Sequence, residues 1–397
     1  MPSFTSSGKD KVAIIGSGSF GSAMARIVGE NCKNYDFTED DVKMYCFEEE
    51  IKVGDGIITF PVNENLTKII NQRRENVKYL PGHDIPDNVT ACPDMLTACL
   101  DATLLIFVMP FAYLEPLLPT IAKVMHPKAR GVSLIKEIHF DPLTLGVKLI
   151  SKEISKGLTT HHGPFPCGVL MGANVAFEIA NGDFSESTLA SQFSADGGDD
   201  LNEKTRLILN NPDHFRVYHI EDISGCEACG ALKNVVAIGA GFIDGLDMGG
   251  NTKAALMRIG IAEMERFCNQ FLEGIEKETF SESCGMADLI TTCIGGRNRK
   301  CGEIFARGRR SRQELTWDEI EKKHLNGQRL RGAKTIKQVY DLLASKNLLK
   351  SYPLFASIYE IAYNMAPVEN IIDGLYIPNN MSRGDRELTG AEEGSEN

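Results

Sequence analysis

An α/β domain built on a doubly wound parallel sheet, followed by an all-α domain, is the fold class that the sequence predicts. Two observations carry it. From residue 12 onward, short apolar runs alternate with amphipathic stretches, the pattern of βαβ units feeding one sheet. Near residue 221 the strand signals stop, and apolar residues at three- and four-residue steps dominate to about residue 375. The length of 397 residues, 43% hydrophobic and 24% charged, suits a chain with a sizeable core and room for two domains.

The elements follow in order. Strands are expected at 12–16, 42–47, 89–92, 102–109, 131–135, 168–171 and 215–220, the last of the series. The run at 102–109 is nearly continuously apolar, as in a strand buried on both faces. Helices are expected at 20–28, 65–71, 113–125 and 145–155, and in the second half at 252–272, 336–343 and 354–365. Segments 54–65 and 192–202 read as surface excursions. The expected division is 1–220, 221–380 and an acid-rich, disordered tail at 381–397.

Composition excludes several classes. A net charge of −12 argues against a general nucleic-acid binder. No stretch reaches the ~18 uninterrupted apolar residues of a membrane helix, and a polar start that runs into a strand is no signal peptide. The C-terminal Gly394-Ser395-Glu396-Asn397 is no peroxisomal address. Eleven cysteines at scattered spacings fit reduced thiols, and the cytoplasm is the expected location. Cys226 and Cys229 form a lone C-x-x-C with no second ligand pair, inside a helical run, and read as packing residues; His161-His162 reads as a polar loop. No metal site is expected.

Gly16-Ser17-Gly18-Ser19-Phe20-Gly21 is a G-x-G-x-x-G placed between the first strand and the first helix. Its glycines suit a tight turn, the close approach of a pyrophosphate and helix–strand packing, and the helix N-terminus adds free N–H groups. The second strand ends in Phe47-Glu48-Glu49, acidic residues where adenosine ribose hydroxyls would lie, with no adjoining cation for a 2′-phosphate. NAD is therefore expected over NADP. The helical half opens with Gly230-Ala231-Leu232-Lys233-Asn234-Val235-Val236-Ala237. A lysine in so apolar a setting is either a snorkelling surface residue or a buried amine whose pKa suits proton donation.

This stretch, through Asn251, resembles the signature of the NAD-dependent glycerol-3-phosphate dehydrogenases, closest to the eukaryotic cytosolic branch. Further matches come in the same order: Glu75-Asn76-Val77-Lys78-Tyr79-Leu80-Pro81-Gly82, Ser133-Leu134-Ile135-Lys136, Leu170-Met171-Gly172-Ala173-Asn174, 283–293 and Gly295-Gly296-Arg297-Asn298-Arg299-Lys300. The resemblance implies a Rossmann-like N-terminal domain, a helical substrate domain and a homodimer acting on a small molecule, with neither nucleic acid nor membrane as partner. It implies reversible NADH-dependent reduction of dihydroxyacetone phosphate to sn-glycerol 3-phosphate. By the same resemblance Lys233 is the proton donor, and Lys136 and Asp288 flank the reacting centre. Lys136, Asn234 and Thr292 hold the substrate, and Arg297 and Asn298 its phosphate. Gly16 to Gly21, Phe47, Tyr113, Lys136, Ala176, Arg297, Arg329 and Arg331 lie against the coenzyme. The residues agree with this: paired glycines beside a guanidinium make an anion site, and two lysines can stabilise a developing alkoxide. One departure stands out, Arg331 where the family commonly has glutamine. The competing readings are another two-domain NAD-dependent hydroxyacid dehydrogenase and a catalytically silent NADH-binding protein.

Overall fold

The computed structural model describes residues 8–53, 62–161, 163–193, 200–313, 315–325 and 330–376. The acidic tail, the tips of both inserts, His162 and Arg329 lie outside them. Eight strands form the main sheet: β1 Val12–Ile15, β2 Val42–Tyr45, β3 Val89–Cys92, β4 Leu104–Phe107, β5 Arg130–Ser133, β6 Cys167–Met171, β7 Ser185–Ala190 and β8 Phe215–Ile220. Their order across the sheet is β8-β7-β6-β5-β4-β1-β2-β3. Connections run outward both ways from β1 and β4, which puts a topological switch point at the carboxyl end of β1.

Period-two alternation divides this sheet between two cores. Ile14, Met44 and Ile106 pack with Met24, Ile27 and Val28 of α1 (Ser19–Asn34) on one face. Ala13, Ile15, Leu105 and Phe107 pack on the other. Burial on both faces explains why β1 and β4 read as continuous apolar runs. Beyond β2, the chain forms α2 (Leu66–Arg73) and a hairpin of Glu75–Asn76 with Leu80–Asp84, and later α3 (Ile150–Leu158).

Three of the departures from the expected elements have a plain physical cause. Strand β7 was not foreseen; it runs antiparallel to β6, and β8 is parallel to β7, so this edge makes the sheet mixed. Its sequence, Ser185-Glu186-Ser187-Thr188-Leu189-Ala190, buries hydroxyls in hydrogen bonds and shows no apolar pattern. The helix expected at 113–125 is three short pieces, Phe111–Leu114, Glu115–Leu117 and Leu118–Ile121, broken where Pro116 and Pro119 fall. The helix expected at 145–155 starts later, because Val147–Leu149 pairs with Ile138–Phe140. Its N-terminal amides, Ile150 (2.5 Å) and Ser151, donate to the buried carboxylate of Glu227.

From residue 223 the chain is helical: α4 Ile223–Gly245, α5 Gly250–Phe271, α6 Asp288–Gly295, α7 Arg297–Arg310, α8 Arg331–Ser345 and α9 Pro353–Tyr363 are the main elements. Among the described residues, α4 alone is long and apolar enough to cross a membrane, and that window is wholly buried inside the protein. The change from strand to helix falls near residue 221, but the compact units interleave. One comprises Met1–Lys233 with Met264–Thr292, the other Asn234–Glu263 with Cys293–Asn397. The reason lies in long-range bonds: Asp222 accepts from Glu276 N (2.9 Å) and Thr279 Oγ1 (2.8 Å), tying 264–292 to the first unit. In the second unit the buried Glu263 accepts from Leu354 N and Phe355 N, capping α9.

Candidate active site

Gly16 follows β1 with φ +124°, and a Cβ there would come within 2.9 Å of Met109 N. Only glycine makes this turn. Gly18, the exposed N-cap of α1, has open space where a side chain would stand, and the first turn carries no side-chain cap. Amides without intrahelical partners, beside a cleared surface at the sheet's switch point, fit a dinucleotide pyrophosphate. Phe47 and Tyr113 are exposed, and Ala176 is half-buried at the start of its helix. Glu48 and Glu49 are already engaged: Glu48 accepts from Thr67 Oγ1 (2.5 Å) and Thr67 N, and Glu49 from Tyr79 OH (2.7 Å) and Lys78. Partial burial works against the Glu49 anion, but the bonds from Lys78 and Tyr79 outweigh it and hold its carboxyl below the ordinary value.

The chain brings Lys136, Lys233, Asp288 and Thr292 together in the first unit. Lys136 leaves the end of β5 and donates to Asp288 Oδ2 (2.9 Å) and to Gly172 O (2.6 Å). Gly230 of α4 packs beside it: a Cβ there would come within 2.9 Å of Met171 Sδ and make ordinary contact, 3.4 Å, with Lys136 Cγ. Lys233 donates to Asp288 Oδ1 and to Thr292 Oγ1 (2.8 Å). The Thr292 hydrogen goes back to Asp288 O (2.6 Å), so its oxygen is left to accept. One carboxylate thus holds two ammonium groups, all but Lys136 buried. Burial pushes Lys233 down to about 8, with Lys136 adding to the shift and Asp288 opposing it. Asp288 follows a π-helical turn, Ser283–Ala287, that is pinned to β7 by Ser283 Oγ on Glu186 O (2.8 Å) and Cys284 N on Thr188 Oγ1 (3.2 Å). The C-x-x-C pair lies beside this turn, buried in α4 and facing Cys284.

In the second unit, Arg297 opens α7 and is exposed, whereas Asn298 is buried. The Asn298 amide donates to Asn234 Oδ1 (2.8 Å) and accepts from Gly332 N (3.0 Å). Asn298 and Thr292 are thus internally bonded, a state that their residue types did not announce. Lys233 and Asn234 are consecutive on α4, so one helix carries both groups. Arg331 is half-buried at the first position of α8, whose first turn holds no carboxylate. Sequence reasoning missed Asn76, fully buried and bonded to the glycine loop, although its octapeptide was part of the resemblance.

A glycine loop at the switch point of a doubly wound sheet, with a buried lysine–carboxylate cluster on the helices that follow, defines a nicotinamide-dinucleotide dehydrogenase of the two-domain kind. The chain matches the family models described as NAD-dependent glycerol-3-phosphate dehydrogenase N-terminus over residues 11–196 and C-terminus over 222–373. It is 43% identical over 363 residues to the cytoplasmic glycerol-3-phosphate dehydrogenase [NAD(+)] of Homo sapiens, 91% of this chain and 96% of that protein. With the glycerol-3-phosphate dehydrogenase 1-like protein of Xenopus tropicalis the identity is 44% over 366 residues, 92% of this chain and 96% of that protein. A solved glycerol-3-phosphate dehydrogenase structure from Saccharomyces cerevisiae superposes with a TM-score of 0.82 at 38% identity, covering 93% of this chain and all of that one. The chain belongs to the NAD-dependent glycerol-3-phosphate dehydrogenase family.

Proposed function

We propose that the chain catalyses the reversible NADH-dependent reduction of dihydroxyacetone phosphate to sn-glycerol 3-phosphate, in the cytoplasm, with Lys233 as the proton donor. NADH, when bound, supplies the hydride. The observation that carries the assignment of Lys233 is its buried ammonium, tied to Asp288 and Thr292 and held near pKa 8. An ammonium has three hydrogens, and these two bonds leave one for a substrate carbonyl oxygen. Asp288 fixes the direction of that hydrogen, and Lys136, on the other oxygen of the same carboxylate, adds positive charge against the developing alkoxide. Thr292 acts by accepting from Lys233. Arg297 takes the substrate phosphate, supported by its exposure at the N-terminus of α7 after paired glycines. Asn298 and Asn234 complete that end of the site.

The loop amides of Gly18, Ser19 and Phe20 take the coenzyme pyrophosphate, and Phe47, Tyr113 and Ala176 line its approach. A cation at the start of α8 runs against the helix dipole, and a coenzyme phosphate near Arg331 would offset that. The acting form in this reading is a homodimer without nucleic-acid or membrane partners, and a sedimentation experiment that finds a monomer would overturn that. Loss of NADH absorbance on adding dihydroxyacetone phosphate, and none with a panel of 2-keto acids, is the expected assay result. Oxidation of NADH by the keto acids alone would overturn the substrate assignment, and no turnover with either would favour a silent NADH-binding protein.

A further inference from the structure

The hairpin of residues 75–84 leaves the sheet entirely, yet its Asn76 is fully buried against the glycine loop. Asn76 Nδ2 donates to Ser17 O (2.8 Å) and to Ser22 Oγ (2.9 Å), and its Oδ1 accepts from Tyr79 N (3.1 Å). Ser22 Oγ donates to the same Ser17 carbonyl (3.2 Å). Two side chains from different elements therefore converge on one backbone oxygen at the turn before α1.

In a trans peptide the carbonyl and the following N–H point in opposite directions. A Ser17 carbonyl held inward by Asn76 and Ser22 turns the Gly18 N–H outward, toward the open side of the helix N-terminus. Gly18 has no side chain to hinder rotation of that peptide, and nothing stands within 4 Å of where its Cβ would be. The loop needs an external hold, and the hairpin supplies it. The hairpin itself is pinned at its base by Gly82 N on Glu75 Oε1 (2.7 Å) and at its tip by Tyr79 and Lys78 on Glu49.

We propose that Asn76 is a positioning residue for the coenzyme, holding the Ser17–Gly18 peptide so that its N–H faces the pyrophosphate. This rests on the coenzyme reading above. The test compares wild type, Asn76→Ala, Ser22→Ala and the double variant by fluorescence titration of NADH, by competition with ADP-ribose, and by steady-state kinetics. Asn76→Ala should weaken NADH roughly tenfold, the scale of one lost buried hydrogen bond. ADP-ribose should weaken by the same factor, because it shares the pyrophosphate and lacks the nicotinamide. KM for dihydroxyacetone phosphate at saturating NADH should stay within about twofold, a split that a general loss of structure would not produce. Ser22→Ala should weaken NADH by about threefold, and the double variant by less than the product of the two, since both hold one oxygen. Unchanged NADH affinity in folded Asn76→Ala, or equal loss for coenzyme and substrate, overturns the proposal. If Asn76→Ala does not fold, Ser22→Ala decides, and unchanged NADH binding there overturns it. No NADH binding by the wild type would sink the coenzyme reading instead.

Discussion

The glycine loop and the lysine–aspartate cluster lie in the same unit, but they are made of different material. The loop is backbone: six consecutive residues, a positive φ at Gly16 and open amides at the start of α1. The cluster is side chain: Lys136 reaches Asp288 across 152 residues of sequence and Lys233 across 55. A site made of local backbone is written in local spacing, and tolerates change wherever a side chain is not seen. A site made of converging side chains is written nowhere in particular, and each member is irreplaceable.

That contrast can be broken by experiment, and the largest effect belongs to the cluster. Lys233→Met should lower kcat by about 10²–10⁴-fold, the usual scale for a lost general acid, while NADH binding survives. Equal loss of NADH affinity would mean that the two sites are not separable. Next is Arg297→Ala, which should cost reduction of dihydroxyacetone phosphate about 1.5–3 kcal/mol in transition-state binding, roughly 10- to 150-fold, and leave unphosphorylated dihydroxyacetone nearly unaffected. The same loss for both substrates would make Arg297 a structural residue or a coenzyme ligand.

The pH profile gives a smaller and signed effect. Lys233 must carry its proton to reduce a ketone, so kcat/KM for reduction should fall about tenfold per unit above a pH near 8, and the reverse oxidation should rise through the same region. A profile flat from pH 7 to 9 would remove the titration from Lys233. Least of all, Arg331→Gln should flatten the dependence of NADH affinity on salt, because a single cation near a phosphate is worth about 1 kcal/mol in water and is screened. Parallel salt slopes for the two proteins would place Arg331 away from the coenzyme.

The same contrast governs what could be read before the structure. The strands that flank β1, the glycine turn and the switch to helix near residue 221 were legible, because burial on both faces and helical spacing leave periodic marks, whereas their order across the sheet was not. Strand β7 was not, since Ser187 and Thr188 are buried as hydrogen-bonded hydroxyls and break the apolar pattern. The composition around Lys233 left a snorkelling lysine and a buried amine equally open and said nothing of a partner, and only the resemblance set it beside Asp288. Asn298 and Thr292 show the limit: their types fitted ligand contacts, and their hydrogen bonds to Asn234, Gly332, Lys233 and Asp288 depend on distant chain. Glu48 and Glu49 read as acids placed for ribose hydroxyls, and their spacing did not show that they also accept from Thr67, Tyr79 and Lys78.

The apolar window of helix α4 is buried throughout, and its lysine waits for an aspartate made 55 residues later. On a ribosome adding about 5–20 residues per second, that interval is roughly 3–11 s. For that time the nascent chain exposes a 23-residue apolar helix, Ile223–Gly245, bearing an ammonium with no counter-ion from Asp288. The active centre closes only once residues 264–292 have emerged and docked. A ribosome stalled after α4 has left the exit tunnel, but before residues 264–292 have left it, would therefore present an unshielded α4, the kind of surface that holdase chaperones engage.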